Sequence, residues 1–122
     1  MLKVVKFGGS SLASAEQFKK VCSIISADPS RKFVVPSAPG KRNPDDTKVT
    51  DMLYQAYARA ERGEEYKKDL KAIKDRYDEI IFGLDLDITL DYEFKKISEQ
   101  FAAKAGKDYA ASRGEYLNAI VI

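Results

Sequence analysis

Residues 3–11 read Lys-Val-Val-Lys-Phe-Gly-Gly-Ser-Ser, and the fold turns on how that stretch is read. Val4 and Val5 make a short apolar run that ends on Lys6, and glycines and serines follow at once. Lys3 to Lys6 is predicted to be a strand, and Gly8 to Ser11 the turn that leaves it. Beyond the turn, Ser14-Ala15-Glu16-Gln17 has the form of a capping box, with Ser14 as N-cap and the Gln17 side chain reaching back. Phe18, Val21, Cys22 and Ile25 then recur at helical spacing, which places Cys22 on the apolar face as an inert core thiol. Asp28-Pro29 stops that helix. Phe33, Val34 and Val35 form a second apolar run, expected to be a buried strand. Strand, helix and strand within about thirty residues predict a parallel β-α-β unit.

Pro36 closes the second run, because proline donates no ladder hydrogen bond. Ser37 to Asp46 is a polar, turn-rich loop at the carboxyl end of that strand, where open α/β sheets bind ligands. The rest reads as helix. Val49, Leu53, Ala56 and Ala60 share one face, and Gly63 ends the segment. Tyr66, Leu70, Ile73, Tyr77 and Ile80 line a second helix, solvated through Lys67, Lys68, Lys71 and Glu79, with Gly83 as its breaker. Leu90, Phe94, Ile97 and Phe101 line a third, stopped by Gly106. A last segment runs from about Asp108 through Tyr116 and Leu117 to Ile122. The chain closes on Ala-Ile-Val-Ile with no polar tail, and is expected to be cut inside an element.

Composition narrows the function. With 122 residues, 44% hydrophobic and 33% charged, the chain fits one globular unit and not a disordered segment. The net charge is only +2, with both signs interleaved, which gives no basic stripe for nucleic acid. No apolar run is long enough to span a bilayer, and the N-terminus does not read as a secretory signal. The single cysteine cannot form an internal disulfide, which fits a reducing compartment. Histidine is absent, so imidazole acid–base chemistry and His-rich metal sites are excluded. No acidic cluster at metal spacing is present either: Asp85 and Asp87 read as loop surface.

The remaining chemistry concentrates at a few places. Backbone amides at the end of a parallel strand, glycines that admit a bulky anion, and a helix N-terminus beyond them make a phosphate cradle. Lys6 with Gly8, Gly9, Ser10 and Ser11 has all of these parts. The spacing is neither that of the P-loop nor the dinucleotide fingerprint, and a tight strand-to-helix turn with a surface lysine explains it equally well. Glu115, in Ser112-Arg113-Gly114-Glu115, offers a carboxylate for a substrate ammonium; the alternative is a solvated helix-end glutamate. Thr50 offers a hydroxyl and helix-start amides; the alternative is a plain N-cap. Lys41 and Arg42 lie in a loop placed to close over an anion, or are simply solvated.

Four segments in order carry a family resemblance: Val4-Val5-Lys6-Phe7-Gly8-Gly9-Ser10-Ser11, Val34-Val35-Pro36-Ser37-Ala38-Pro39-Gly40-Lys41, Val49-Thr50-Asp51-Met52-Leu53-Tyr54 and Ser112 to Ala119. Together they resemble the aspartokinases of the amino-acid kinase superfamily, along essentially the whole chain. The resemblance implies an α/β fold, part of a three-layer αβα amino-acid-kinase domain, with two or more parallel strands followed by a helix-rich segment. It implies transfer of the ATP γ-phosphoryl group to the β-carboxylate of L-aspartate, giving 4-phospho-L-aspartate on the route to lysine, threonine and methionine. Lys6 would be the catalytic cation. Phe7, Gly8 and Gly9 amides with Ser10 would hold phosphate oxygens, and Thr50 and Glu115 would bind aspartate. Positioning and charge stabilisation suffice for such chemistry, with Mg²⁺ as the expected ion and no protein metal site.

The chain departs from the family in what it lacks. The later Gly-Arg-Gly-Gly-Ser-Asp segment, the adenine-binding portion and the C-terminal ACT domains are absent. Residues 1–122 therefore resemble the N-terminal portion of a kinase domain, expected to be inactive alone and, in the full enzyme, to form a cytoplasmic homo-oligomer. Pro36 stands where an apolar residue would extend the second strand, and Ile120-Val121-Ile122 lacks the polar positions expected of the helix there. The alternative from another class is a non-catalytic interaction module using an exposed sheet edge.

Overall fold

The structure, a computed structural model, describes all residues from Met1 to Ile122. Strand β1 (Lys3–Phe7) leads through a short 3-10 turn (Gly9–Leu12) into α1 (Ala15–Ser26), and β2 (Arg31–Pro36) returns parallel to β1. Val4 pairs with Phe33 and the register holds to Phe7 opposite Pro36, with one irregularity between Lys3 and Val4. Pro36 is thus the last strand residue, and the ladder loses nothing there because Ser37 N–H donates to the Phe7 carbonyl at 3.1 Å. The Ser14 hydroxyl accepts from Gln17 N–H, so the predicted N-cap stands, while the reciprocal bond from the Gln17 side chain is not made.

Four helices follow: α2 (Val49–Glu61), α3 (Lys67–Gly83), α4 (Asp91–Ala102) and α5 (Lys107–Val121). Their apolar stripes meet in one core. Leu53, Ile73, Tyr77, Ile97, Phe101 and Leu117 are fully buried there, and each such side chain stabilises the fold by about 1.5–3 kcal/mol relative to exposure. Helix α2 lies in the middle, packed on α3, α4 and α5. The Tyr57 and Phe101 rings meet edge to face, 5.3 Å between centroids.

Three expectations are corrected. Cys22 is exposed: α1 packs on the 3-10 turn and α3 through Phe18 and Val21, a stripe too narrow to cover it. The second strand is not buried on both faces. Phe33 and Val35 are exposed and Val34 half-buried, because helices cover only one face of this sheet. Gly83 is the last residue of α3 rather than its breaker; a Cβ there would come within 2.4 Å of the Ala15 Cβ, so the glycine lets α3 approach α1. The turn beyond is made by Asp85, at φ 56°.

Candidate active site

The two loops leaving the carboxyl ends of β1 and β2 are locked together by glycines. Gly40 N–H donates to the Gly9 carbonyl at 2.8 Å. A Cβ on Gly40 would lie 2.7 Å from the Gly9 carbonyl carbon and 2.9 Å from Ser10 N, closer than real side chains come. The N–H groups of Gly8, Gly9 and Ser10 take no acceptor among the loop and turn hydrogen bonds, whereas Ser11 N–H is used by the Gly8 carbonyl. Successive free amides after a parallel strand form an anion-binding concavity.

Helices fix the second loop from behind. Pro39 offers its carbonyl to Val49 N–H at 3.0 Å, which sets where α2 starts. Arg76 of α3, only 5% exposed, donates to the carbonyls of Gly40 (2.8 Å) and Thr47 (2.9 Å) and stands 3.7 Å from the Asp46 carboxylate. Burial lowers the Arg76 pKa from the ordinary guanidinium value, and the Asp46 charge opposes that fall. Asp46 also accepts from Arg42, at 2.7 Å from the side-chain Nε and 2.9 Å from the backbone N–H. The Arg42 bond first of all holds the Asp46 carboxyl well below the usual carboxylate range. From α5, Asn118 donates to the Ser37 carbonyl at 2.7 Å. Tyr77 donates to the Gly114 carbonyl at 2.8 Å, and burial pushes its phenol pKa well above the ordinary value.

These contacts enclose a cavity of about 580 Å³ at the carboxyl ends of both strands. Gly9 and Ser10 border it from the first loop, Ser37 to Lys41 and Lys48 from the second, Thr50 from α2 and Glu115 from α5. Five of the sequence-predicted residues therefore converge: Gly9, Ser10, Lys41, Thr50 and Glu115. Lys6, Phe7 and Gly8 do not line this cavity. Lys6 is exposed on the same side of the sheet as Val4, Phe7 packs on the core, and Gly8 is exposed where the chain leaves β1.

Thr50 is not an N-cap; Lys48 holds that position in extended conformation, and Thr50 is the second residue of the helix. Nor is Glu115 at a helix end, since it lies well inside α5. Ser112 is drawn back onto its own helix, donating to the Tyr109 carbonyl at 2.8 Å. Arg42 turns to Asp46 and Glu79 and leaves the cavity to Lys41. Lys41, Lys48 and Glu115 have no ion-pair partner, so the cavity presents two cations and one anion to whatever enters it.

The model of the amino acid kinase family matches residues 1–122. The chain belongs to the amino acid kinase family. Among curated relatives it is similar to aspartokinase 3 of Bacillus subtilis (strain 168), 65% identical over 52 residues, or 43% of this chain and 12% of that protein. It is also similar to the chloroplastic bifunctional aspartokinase/homoserine dehydrogenase of Daucus carota, 35% identical over 86 residues, 69% of this chain and 9% of that one. A crystal structure of Clostridium acetobutylicum aspartate kinase superposes with a TM-score of 0.93 at 47% identity, over 97% of this chain and 27% of that one. Escherichia coli aspartokinase III in complex with aspartate and ADP shares the fold, with a TM-score of 0.74 at 22% identity over 98% of this chain and 27% of that one. The chain thus spans about a quarter or less of the length of each of these relatives.

Three residues of this family member that line the cavity or hold its loops from behind were not singled out from sequence. Lys48 had a local signal: with Lys41 it brackets the loop, and it stands directly before Val49-Thr50. Arg76 interrupts the apolar series of Ile73, Tyr77 and Ile80, which is where a buried charge would show. Asn118, fully buried in α5, sits beside Leu117 and is the one uncharged polar side chain in the core.

Proposed function

We propose that this amino acid kinase segment supplies the phosphate loop and part of the acceptor site of an aspartokinase. The longer enzyme would transfer the γ-phosphoryl group of ATP to the β-carboxylate of L-aspartate. What supports the reading most is a single observation: the free amides at Gly9 and Ser10 share one cavity with Thr50 and Glu115. In this reading the amides of Phe7, Gly8 and Gly9, with Ser10, hold oxygens of the transferring phosphate. Lys6 neutralises charge that builds up in the transition state. Glu115 takes the α-ammonium of aspartate, and the Thr50 hydroxyl takes a carboxylate oxygen. Both reactants are anionic, so two unpaired lysines facing one glutamate suit a zwitterion that carries a second acid.

Mg²⁺ fits as an ion carried by the nucleotide. The cavity offers oxygen donors but no cluster of acidic side chains, which suits an ion held chiefly by phosphates and water. Bound there, it would screen phosphate charge. A cytoplasmic homo-oligomer completes the proposal; no helix here is long and apolar enough to cross a membrane.

The test is a chimera in which this chain replaces the matching part of the Clostridium acetobutylicum enzyme. Acyl phosphate formed from ATP, Mg²⁺ and aspartate is trapped with hydroxylamine. The chimera is expected to turn over, and Lys6→Ala to lower kcat by ~100-fold or more with the fold intact. A folded chimera without activity on aspartate would count against the substrate; undiminished turnover in Lys6→Ala would remove Lys6 from the mechanism. The 122-residue chain alone is expected to form no acyl phosphate.

A further inference from the structure

We infer that Arg76 is a positioning residue for the acceptor side of the site, acting through the Gly40–Thr47 loop; the inference rests on the aspartokinase reading above. The guanidinium is buried and reaches two carbonyls at opposite ends of one loop, Gly40 at 2.8 Å and Thr47 at 2.9 Å. The residues next to those carbonyls are Lys41 and Lys48, the two unpaired cations of the cavity. One side chain from α3 therefore sets the separation of both lysines, on the loop that runs up to the start of α2. On the far side of the cavity Gly9 accepts from Gly40 N–H, and neither Gly9 nor Ser10 is hydrogen-bonded to Arg76.

Stability alone does not account for this choice of residue. A buried guanidinium is costly to desolvate, and an apolar side chain of similar length is often as stable or more so in such a place. Asp46 is no full ion-pair partner either: it stands 3.7 Å from Arg76, and its short bonds go to Arg42. What methionine cannot do is hold two carbonyls in a fixed relation; that requires a planar fork with donors on both arms. Lysine carries the charge on a single point and can hold one carbonyl firmly, not both.

The test compares Arg76→Met and Arg76→Lys with the parent in the chimeric enzyme described above. Arg76→Met is expected to raise KM for aspartate ~10-fold or more while KM for ATP stays within about 2-fold, and Arg76→Lys to recover part of the loss. A merely structural arginine would lower the melting temperature and leave that split absent. Unchanged KM for aspartate, or both KM values rising together, overturns the inference.

Hydrogen exchange on the 122-residue chain separates this outcome from the substrate assignment. In Arg76→Met the amides of Gly40, Arg42 and Asp46 should exchange faster, while those of Ile80 and Leu117 stay protected. Exchange that is unchanged in the loop, or faster everywhere, also overturns the inference. If the parent chimera makes no acyl phosphate yet the loop amides respond selectively, the aspartate reading fails and the Arg76 clamp stands.

Discussion

Asp46 is the residue on which the second loop's charges meet. It accepts from Arg42 through side chain and backbone, and Arg76 adds a positive charge nearby. These partners hold its native pKa below the unfolded value, so its ionised form stabilises the fold. That contribution is fully present above the unfolded carboxylate pKa of about 3.9, and is lost as pH falls through the native value. Asp46→Asn should therefore be less stable than the parent at neutral pH, and the gap should close in strong acid. Urea melts across pH check this; a gap that persists unchanged in strong acid would mean that the charge is not what stabilises the loop. The residue scale also shows what sequence could and could not carry. Gly9, Ser10, Thr50 and Glu115, which the cavity brings together, were each marked by neighbours within a few positions, as glycines after a strand or a hydroxyl at a helix start. Arg76 and Asn118 were not, because their partners lie 36 and 81 positions away.

Helix α5 reaches the site by packing against a loop, and one glycine permits it. A Cβ on Gly114 would come within 2.4 Å of the Ala38 Cβ and 3.4 Å of the Leu53 Cδ1. Glu115 follows directly, so pushing α5 away from the loop displaces the only carboxylate of the cavity. Gly114→Ala gains helix propensity worth about 1 kcal/mol, but overpacking of this kind costs about 1–3 kcal/mol. The net effect is expected to be destabilising, and Ala38→Gly in the same chain should remove the clash. A double-mutant cycle by denaturant melts measures this, and strictly additive changes would show that the two residues do not collide. Helices α2 to α5 were legible as elements because their apolar spacing is strong. Their contacts with one another were not. Periodicity tells which face of α5 is apolar, but not that Gly114 meets Ala38 or that Asn118 reaches Ser37. The strands read as elements too, yet their burial did not. Valine and phenylalanine runs look alike whether one face of a sheet is covered or both.

Across the whole molecule, apolar side chains fall into two populations that composition does not distinguish. The helical core takes in Phe18, which is fully buried, while Phe33 on the outer face of the sheet is 54% exposed, alongside Val4 at 70% and Val35 at 45%. An αβα domain has helices on both faces of its sheet, and this chain provides two parallel strands and helices on one face. The open face is thus an apolar surface without a partner here, and its residues contribute little to the stability of the chain itself. Phe18→Ala removes a packed ring and should cost about 3–5 kcal/mol. Phe33→Ala removes a ring already half in water and should cost about 1 kcal/mol or less, close to the range for surface substitutions. Denaturant melts of the two variants test the asymmetry, and a dye that binds exposed apolar surface tests its cause. Dye binding by the native chain should fall in Phe33→Ala, since the ring itself forms part of the exposed patch. Equal destabilisation by the two substitutions would mean that the sheet's outer face is covered in solution, by a second copy of the chain or by rearranged helices. A concentration-dependent cost for Phe33→Ala would point to the second copy, because only association couples stability to protein concentration.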